Sequence, residues 1–192
     1  MPEFKYIAFH KPYGVISQFS KEQPDHVTLA NFLKDIGKDI YPVGRLDKDS
    51  EGLLILTNDK TLTEYLLNPK NRHPRTYWAQ LDGDITEYAL QQLQSGVKIR
   101  PRKKDYTTLP CQARKISAPG IPDRDPPIRY RKEIPTSWIE ITLVEGKYRQ
   151  VRKMCAAVGF PVLRLVRVSI GKLRVDDMPP GDYRLILRKE VV

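Results

Sequence analysis

The stretch from Gly44 to Asp59 constrains the possible fold more than any other part of this sequence. Its second half contains the unbroken apolar run Leu53 to Leu56, which predicts a buried strand. Its first half places Asp47 close to Arg45 in a predicted turn, with glycines on both sides that permit tight backbone turns. A carboxylate held beside a cation on a rigid edge suits a site that uses an ionised acid. The stretch is therefore a candidate functional site.

Asp47 also has an ordinary structural interpretation. Aspartate is common in turns because its side chain accepts hydrogen bonds from nearby backbone N–H groups. Arg45 can either pair with Asp47 or point outward toward a phosphate or a base. The residues of this turn do not decide between these interpretations.

The pattern along the chain predicts an α+β fold in one domain, residues 1–192, built on a mixed and mainly antiparallel sheet. The predicted strands are Tyr6–Phe9, Val15–Ser17, Tyr41–Val43, Leu53–Thr57, Arg75–Leu81, Leu109–Ile116, Trp138–Val144, Val162–Ile170 and Tyr183–Leu187. The predicted helices are Thr28–Ile36, Thr61–Leu67, Thr86–Gln94 and Tyr148–Val158.

A second cluster runs from Glu145 to Met154, where a predicted strand ends and a predicted helix begins. Arg149 and Arg152 lie on a different side of that helix from its apolar stripe. A basic helix face is usually just solvated. An arginine at this position can instead pair with Asp47 and lower the pKa of that carboxyl, which keeps it ionised.

Tyr77 lies with Arg75 on a predicted strand. A strand tyrosine is usually a packing residue of the sheet. The alternative is a ring that stacks on a base extruded from RNA. Tyr41, Tyr65 and Trp78 offer the same chemistry, so the sequence does not select among these four aromatic residues.

The charge balance favours a polyanionic partner. The chain has 33 Lys and Arg against 23 Asp and Glu, a net charge of +10, and its arginines cluster with aromatic residues. Two loops carry the predicted RNA contacts, and the alternative is that both are solvated and flexible. The basic residues of the first are Arg100, Arg102, Lys103 and Lys104, and those of the second, in the proline-rich stretch Pro119–Pro135, are Arg124, Arg129, Arg131 and Lys132.

The sequence does not support several other types of functional site. Cys111 and Cys155 stand outside any CxxC pair, which favours a reducing compartment over a disulfide scaffold or a zinc site. The three histidines lack ligand-like spacing, and no Walker, GxGxxG, GxSxG or HExxH pattern occurs. No signal peptide is visible, and the apolar stretches are far shorter than the roughly 20 residues that cross a bilayer. We expect a cytoplasmic protein without metal, organic cofactor or membrane span.

Three motifs resemble those of the RsuA family of bacterial RNA pseudouridine synthases. They are Gly44-Arg45-Leu46-Asp47 with Ser50-x-Gly52-Leu53-Leu54, then Arg75-x-Tyr77, and then Glu145-Gly146-x-x-Arg149-Gln150-Val151-Arg152-x-Met154. The segments Lys11-Pro12-x-Gly14-Val15 and Leu163-x-Leu165-x-Arg167-x-x-Ile170-Gly171 are similar to its first and last signatures. Pro126–Arg129 and Ile134–Trp138 resemble, more narrowly, group E of its large-subunit ribosomal enzymes.

The resemblance implies a sheet in two half-lobes with flanking helices and a central cleft. It implies isomerisation of one uridine in large-subunit (23S) ribosomal RNA to pseudouridine, without a cofactor, by a protein that we expect to be a monomer. Many members carry an amino-terminal RNA-binding domain of the S4 type. Lys11-Pro12 comes almost at once here, so we expect that domain to be absent and target selection to rest on the chain's own loops.

The resemblance also implies roles for single residues. Asp47 becomes the catalytic acid group, which either attacks the ribose C1′ or helps to open the sugar to a glycal. Tyr77 becomes the ring that packs on the flipped base, and Arg152 becomes the ion-pair partner of Asp47, with Arg149 as the next candidate.

Two further roles concern the nucleotide and its pocket. Arg45 enters the space that the extruded nucleotide leaves. Leu165 forms an apolar wall of the pocket, and Leu163 is its rival for that role.

Two other functional classes fit the residues less well. A non-catalytic RNA-binding factor has no reason to keep a carboxylate such as Asp47 facing a polyanion, because the two repel. A small-molecule hydrolase is disfavoured by the +10 charge and by the lack of a second carboxylate with an obvious acid role.

Replacing Arg102, Lys103 and Lys104 together by glutamine should flatten the salt dependence of RNA binding, because each cation that neutralises a phosphate releases counterions. The slope of log Kd against log salt concentration should fall by about 0.7 for each lost contact with a single strand. Filter binding at several salt concentrations measures this slope. An unchanged slope would place the RNA elsewhere.

Overall fold

The computed structural model describes residues 3–128, 133–175 and 178–192. The chain forms two compact units. The first unit comprises Met1–His73 and Val166–Val192, and the second comprises Pro74–Leu165.

Among the residues that the structure describes, strands outnumber helices in both units. The strands are β1 Tyr6–Lys11, β2 Tyr41–Pro42, β3 Glu51–Thr57, β4 Arg75–Asp82, β5 Lys98–Ile99, β6 Tyr106–Thr107, β7 Gln112–Ile116, β8 Thr136–Leu143, β9 Val162–Ile170, β10 Leu173–Arg174 and β11 Tyr183–Leu185. The helices are α1 Lys60–Leu67, α2 Glu87–Ser95, α3 Gln150–Ala157 and α4 Arg188–Val191, with 3-10 turns at Leu29–Asn31, Pro69–Asn71 and Pro101–Lys103.

The sheet of the first unit is organised around β3. Strand β1 pairs antiparallel with β3 and with β11, whereas the middle of β9 runs parallel to the start of β3, with Gly52 opposite Arg167. All seven residues of β3 are buried, which confirms the buried strand predicted at Leu53–Thr57. An unbroken apolar run is the expected pattern for a strand covered on both faces.

The second unit is built on β8, which pairs antiparallel with β4 along its whole length and with β7 on its other side. The alternation predicted for β8 is observed, because Ile139, Ile141 and Leu143 are buried and the residues between them are half-buried. Helix α2 begins after Thr86, whose hydroxyl accepts a hydrogen bond from the backbone N–H of Ala89 at 3.2 Å. The α+β class and the mixed, mainly antiparallel sheet are thereby confirmed.

Two predicted elements in the first unit are wrong. The helix expected at Thr28–Ile36 is reduced to the 3-10 turn Leu29–Asn31, since Asp35 has a left-handed φ of 59° that no continuous helix accommodates. The apolar spacing instead reflects burial of this segment in the core. The strand expected at Val15–Ser17 is absent from the described structure, where Ile16 makes an isolated bridge with Thr28.

Helices of the described residues, 3–128, 133–175 and 178–192, are all too short or too polar to cross a membrane.

Gly52 permits the close approach of β3 and β9. Its φ is +104°, and a Cβ at this position would lie 2.2 Å from the carbonyl oxygen of Arg167 and 2.6 Å from its backbone nitrogen. Both the left-handed backbone and the lack of space therefore exclude a side chain here.

Gly52→Ala should lower the free energy of unfolding by about 3 kcal/mol or more, because it adds backbone strain to a steric clash. Urea denaturation followed by circular dichroism measures the change. Gly120→Ala is the matched control, since a Cβ at Gly120 would meet no heavy atom within 4 Å. Equal midpoints for the two variants would contradict the proposed clash.

Candidate active site

Asp47 lies in a turn between β2 and β3, residues 44–50, hereafter the Asp47 turn. The turn begins where Val43 donates a backbone hydrogen bond to Ile55 at 2.7 Å, and it closes where the N–H of Ser50 donates to the carbonyl of Asp47 at 3.0 Å. Asp47 is half-buried and Arg45 is exposed. The predicted turn and its partly accessible carboxylate are therefore present.

A segment from far away in the sequence braces this turn on both sides of Asp47. The buried hydroxyl of Ser17 donates to the carbonyl of Leu46 at 2.8 Å and accepts from its N–H at 3.1 Å. The N–H of Gly14 donates to the carbonyl of Lys48 at 2.8 Å. We call residues 11–17 the bracing segment. The residues before and after Asp47 are therefore both held in place by hydrogen bonds, which fixes the backbone of Asp47 between them.

Lys11 begins the bracing segment and is 0% exposed. Its ammonium donates to the carbonyls of Pro12 at 2.9 Å and Val15 at 2.8 Å, which are groups of the same segment. Burial lowers the pKa of Lys11 to about 7, although the nearby carboxylates of Glu51, Asp49 and Asp47 oppose this by favouring the charged form.

Sequence reasoning missed the electrostatic part of this site. It treated Lys11 as a signature residue, and it gave no role to Glu51, which is buried in β3. The available signal was a charged residue at the end of one apolar strand, Lys11 of β1, and another at the start of its partner strand, Glu51 of β3. The two lie near each other because Lys11 is opposite Gly52 in the β1–β3 ladder. Lys11 is therefore a second basic residue of the first unit, besides Arg45, that lies near Asp47.

Tyr77 lies in the second unit, on β4, opposite Ile141 of β8. It is half-buried and packs against the core of that unit. Trp78 points to the other face, where its indole N–H donates to Glu140 at 3.0 Å. The other two candidate rings, Tyr41 and Tyr65, are exposed in the first unit.

The two candidate pocket leucines lie on the same side of β9, two residues apart. Leu165 is 7% exposed and belongs to the core cluster of the second unit, whereas Leu163 is half-buried. The choice between them stays a prediction.

Helix α3 begins two residues later than predicted, at Gln150 instead of Tyr148. The reason is Arg149, whose φ of 52° places it in the left-handed region and makes it the residue before the helix. Arg152 lies in the first turn of the helix, half-buried, and its guanidinium donates to the carbonyl of Val162 at 3.2 Å.

The predicted site residues are divided between the units. Asp47 and Arg45 belong to the first unit, and Tyr77, Arg149, Arg152 and Leu165 belong to the second. The ion pair of Asp47 with Arg152 therefore stays a prediction.

The basic loops are described in part. Arg102 and Lys103 are exposed, and both have left-handed backbones, with φ of 50° and 66°. Arg129 and Arg131 lie outside the described residues. Within the described ranges, no group of three or more His, Cys, Asp or Glu side chains is placed to hold a metal ion.

Comparison with known families identifies the family to which this chain belongs. The family described as RNA pseudouridylate synthase matches residues 5–157, a range that contains the Asp47 turn, Tyr77 and Arg152. The chain belongs to the RNA pseudouridylate synthase family. The prediction that the protein is a pseudouridine synthase, and hence an isomerase, is thereby confirmed.

Individual relatives of this synthase are similar over most of its length. The ribosomal large subunit pseudouridine synthase E of Vibrio parahaemolyticus is 47% identical over 182 residues, which cover 95% of this chain and 74% of the relative. The protein of the same name from Xanthomonas axonopodis pv. citri is 48% identical over 176 residues, or 91% of this chain and 90% of the relative. The predicted resemblance to group E is confirmed.

A solved structure agrees with the fold. A crystal structure of a pseudouridylate synthase matches with a TM-score of 0.78 and 26% identity, covering 100% of this chain and 74% of that chain. The predicted pseudouridine synthase fold is therefore confirmed.

Lys11 should make the stability of the synthase depend on pH. Its pKa falls from the ordinary 10.5 to about 7 on folding, so between these values the unfolded chain holds a proton that the folded chain lacks. Stability should therefore rise with pH across this window, by up to about 1.4 kcal/mol per pH unit from this group, and should gain nothing from it below pH 7.

Urea denaturation of the wild type and Lys11→Met at several pH values between about 7 and 10 measures this effect. The methionine variant keeps the length of the side chain and removes the titrating amine. The difference in unfolding free energy between the two proteins should change with pH. A constant difference would show that Lys11 titrates in its ordinary range.

Proposed function

We propose that the protein converts one uridine of large-subunit (23S) ribosomal RNA into pseudouridine. The observation that carries this proposal is the 47% and 48% identity, over more than nine-tenths of the chain, to proteins named ribosomal large subunit pseudouridine synthase E. The net charge of +10 supports a polyanionic substrate.

The reaction rearranges bonds within one nucleotide. The bond between N1 of uracil and C1′ of the ribose breaks, the base turns, and a bond forms between C5 and C1′. The proton on C5 leaves and N1 gains one, so substrate and product are isomers and no oxidant, reductant or energy source is needed. A stacked uridine cannot turn, so the nucleotide must first leave the stack at a cost of a few kcal/mol.

Asp47 is the proposed catalytic residue. Its half-buried carboxylate, on a turn braced before and after it, suits a group that must approach one atom of the sugar. It acts either by attacking C1′ or by assisting formation of a glycal. The buried side chain of Lys11 lies close enough to Asp47 for the charges of the two groups to interact.

Residues of the second unit complete the proposed site. The ring of Tyr77 packs on the flipped base and takes the 2′ proton in the glycal route, and Arg152 pairs with Asp47, with Arg149 as its rival. Leu165 or Leu163 forms the apolar wall. The half-buried Tyr77 and Arg152 retain accessible surface, which these roles require.

RNA binding is assigned to exposed cations. Arg45, exposed beside Asp47, enters the space left by the extruded nucleotide. Arg102 and Lys103 contact the RNA outside the site, together with Arg129 and Arg131. We infer a single catalytic domain that acts as a monomer in the cytoplasm.

Asp47→Asn should abolish isomerisation while leaving RNA affinity within a few-fold, because it removes the charge and keeps the shape of the side chain. The assay is release of tritium from RNA labelled at C5 of uridine, with deproteinised large-subunit RNA and no added cofactor. Tritium release by the wild type and none by the variant is the expected result.

Two outcomes would change this assignment. Retained turnover by Asp47→Asn would remove Asp47 from the catalytic role. No release by the wild type, on either free RNA or immature large subunits, would favour a protein that binds RNA without modifying it.

A further inference from the structure

Two neighbouring segments of the second unit present a surface of alternating cations and tyrosine rings. The guanidinium carbon of Arg102 lies 5.8 Å from the centre of the Tyr148 ring, and the ammonium of Lys147 lies 4.6 Å from the centre of the Tyr106 ring. We call these four residues the tyrosine surface. Each ring of one segment meets a cation from the other, so the two segments are held in register.

Hydrogen bonds to Glu145 hold the Tyr106 and Lys147 part of this surface. The carboxylate of Glu145 accepts hydrogen bonds from the hydroxyl of Tyr106, from the backbone N–H of Leu109 at 2.9 Å and from the side chain of Gln150 at 2.6 Å. Gln150 in turn accepts from the N–H of Lys147 at 2.8 Å. The hydrogen bond to Glu145 raises the pKa of Tyr106 to about 12, so this hydroxyl remains a donor at neutral pH.

The surface is open and strongly basic. Tyr148 is 51% exposed, and Arg102, Lys103 and Lys147 are exposed around it. Residues 98–105 and 145–149 together hold seven basic and two acidic residues. Both acids are engaged within the protein, because Glu145 forms the hydrogen bonds above and Asp105 pairs with neighbouring cations at 2.9 and 3.2 Å. The net charge that this surface presents to a binding partner is therefore positive.

A stacked duplex and an unpaired strand offer different chemistry to such a surface. A duplex presents phosphates, for which lysines suffice, whereas an unpaired strand also exposes the faces of its bases. An exposed aromatic ring beside cations binds both a base face and the adjacent phosphates. The half-exposed ring of Tyr148, with Arg102 beside it, therefore suits an unpaired strand.

We propose that the tyrosine surface binds an unpaired stretch of the RNA substrate, with one base stacked on Tyr148 and the adjoining phosphates contacting Arg102, Lys103 and Lys147. This inference rests on the proposed function and specifies which form of RNA is bound outside the catalytic site.

The test measures binding without turnover. All proteins carry Asp47→Asn, and Kd is measured by fluorescence anisotropy for a labelled single-stranded RNA of about 10 nucleotides and for a perfect duplex of the same sequence. Tyr148→Ala should weaken single-strand binding by roughly 10-fold or more and duplex binding by less than about 2-fold. Tyr148→Phe, which keeps the ring, should restore the affinity for the single strand.

Tyr88→Ala is the matched control, because Tyr88 is 70% exposed on α2 of the same unit. It should leave both affinities unchanged. An unchanged Kd for Tyr148→Ala, or an equal loss for single strand and duplex, would overturn the proposal. The urea midpoints of the variants show whether a variant has lost binding or has lost its fold. A loss of affinity that is fully explained by a loss of stability would also overturn the proposal.

The two proposals can fail separately. Absence of tritium release by the wild type would contradict the isomerase assignment without altering the affinities. A selective loss of single-strand binding by Tyr148→Ala would still support the tyrosine surface.

Discussion

The hydrogen bonds between Ser17 and Leu46 are the interaction on which the candidate site depends. They join the bracing segment to the Asp47 turn, and the contact of Gly14 with Lys48 completes the attachment. A turn between two strands would otherwise be freer to move, because loops are more mobile than the strands that they connect. These bonds to Leu46 and Lys48, made by a hydroxyl and a backbone N–H, hold the residues on both sides of Asp47.

This arrangement requires charge in the interior. Lys11 and Glu51 are both buried beside the turn, and Arg167 donates from its buried side chain to the carbonyl of Leu53 at 2.8 Å. Buried charges are costly unless they are paired or hydrogen-bonded. The first unit therefore buries charged side chains near the Asp47 turn, and mutual attraction and backbone carbonyls stabilise them.

The sequence was most informative where one local pattern decided the structure. Strand β9 has the predicted bounds, and the alternation of β8 correctly separated its two faces. The segment 28–36 was misinterpreted because apolar residues that anchor an irregular loop in the core can mimic helical spacing. The environment of Asp47 was missed because it depends on contacts between distant residues, such as Ser17 and Leu46, 29 positions apart, and because charged residues are normally expected at the surface.

The contact at Gly52 has a consequence for how this sequence can vary. The atoms that a side chain at position 52 would meet are the backbone carbonyl oxygen, nitrogen and carbonyl carbon of Arg167, which every amino acid carries. No substitution at position 167 can therefore act as a suppressor of a change at position 52. Positions 52 and 167 are in contact, yet their amino acids should not covary. Contact maps inferred from paired substitutions should therefore miss this contact.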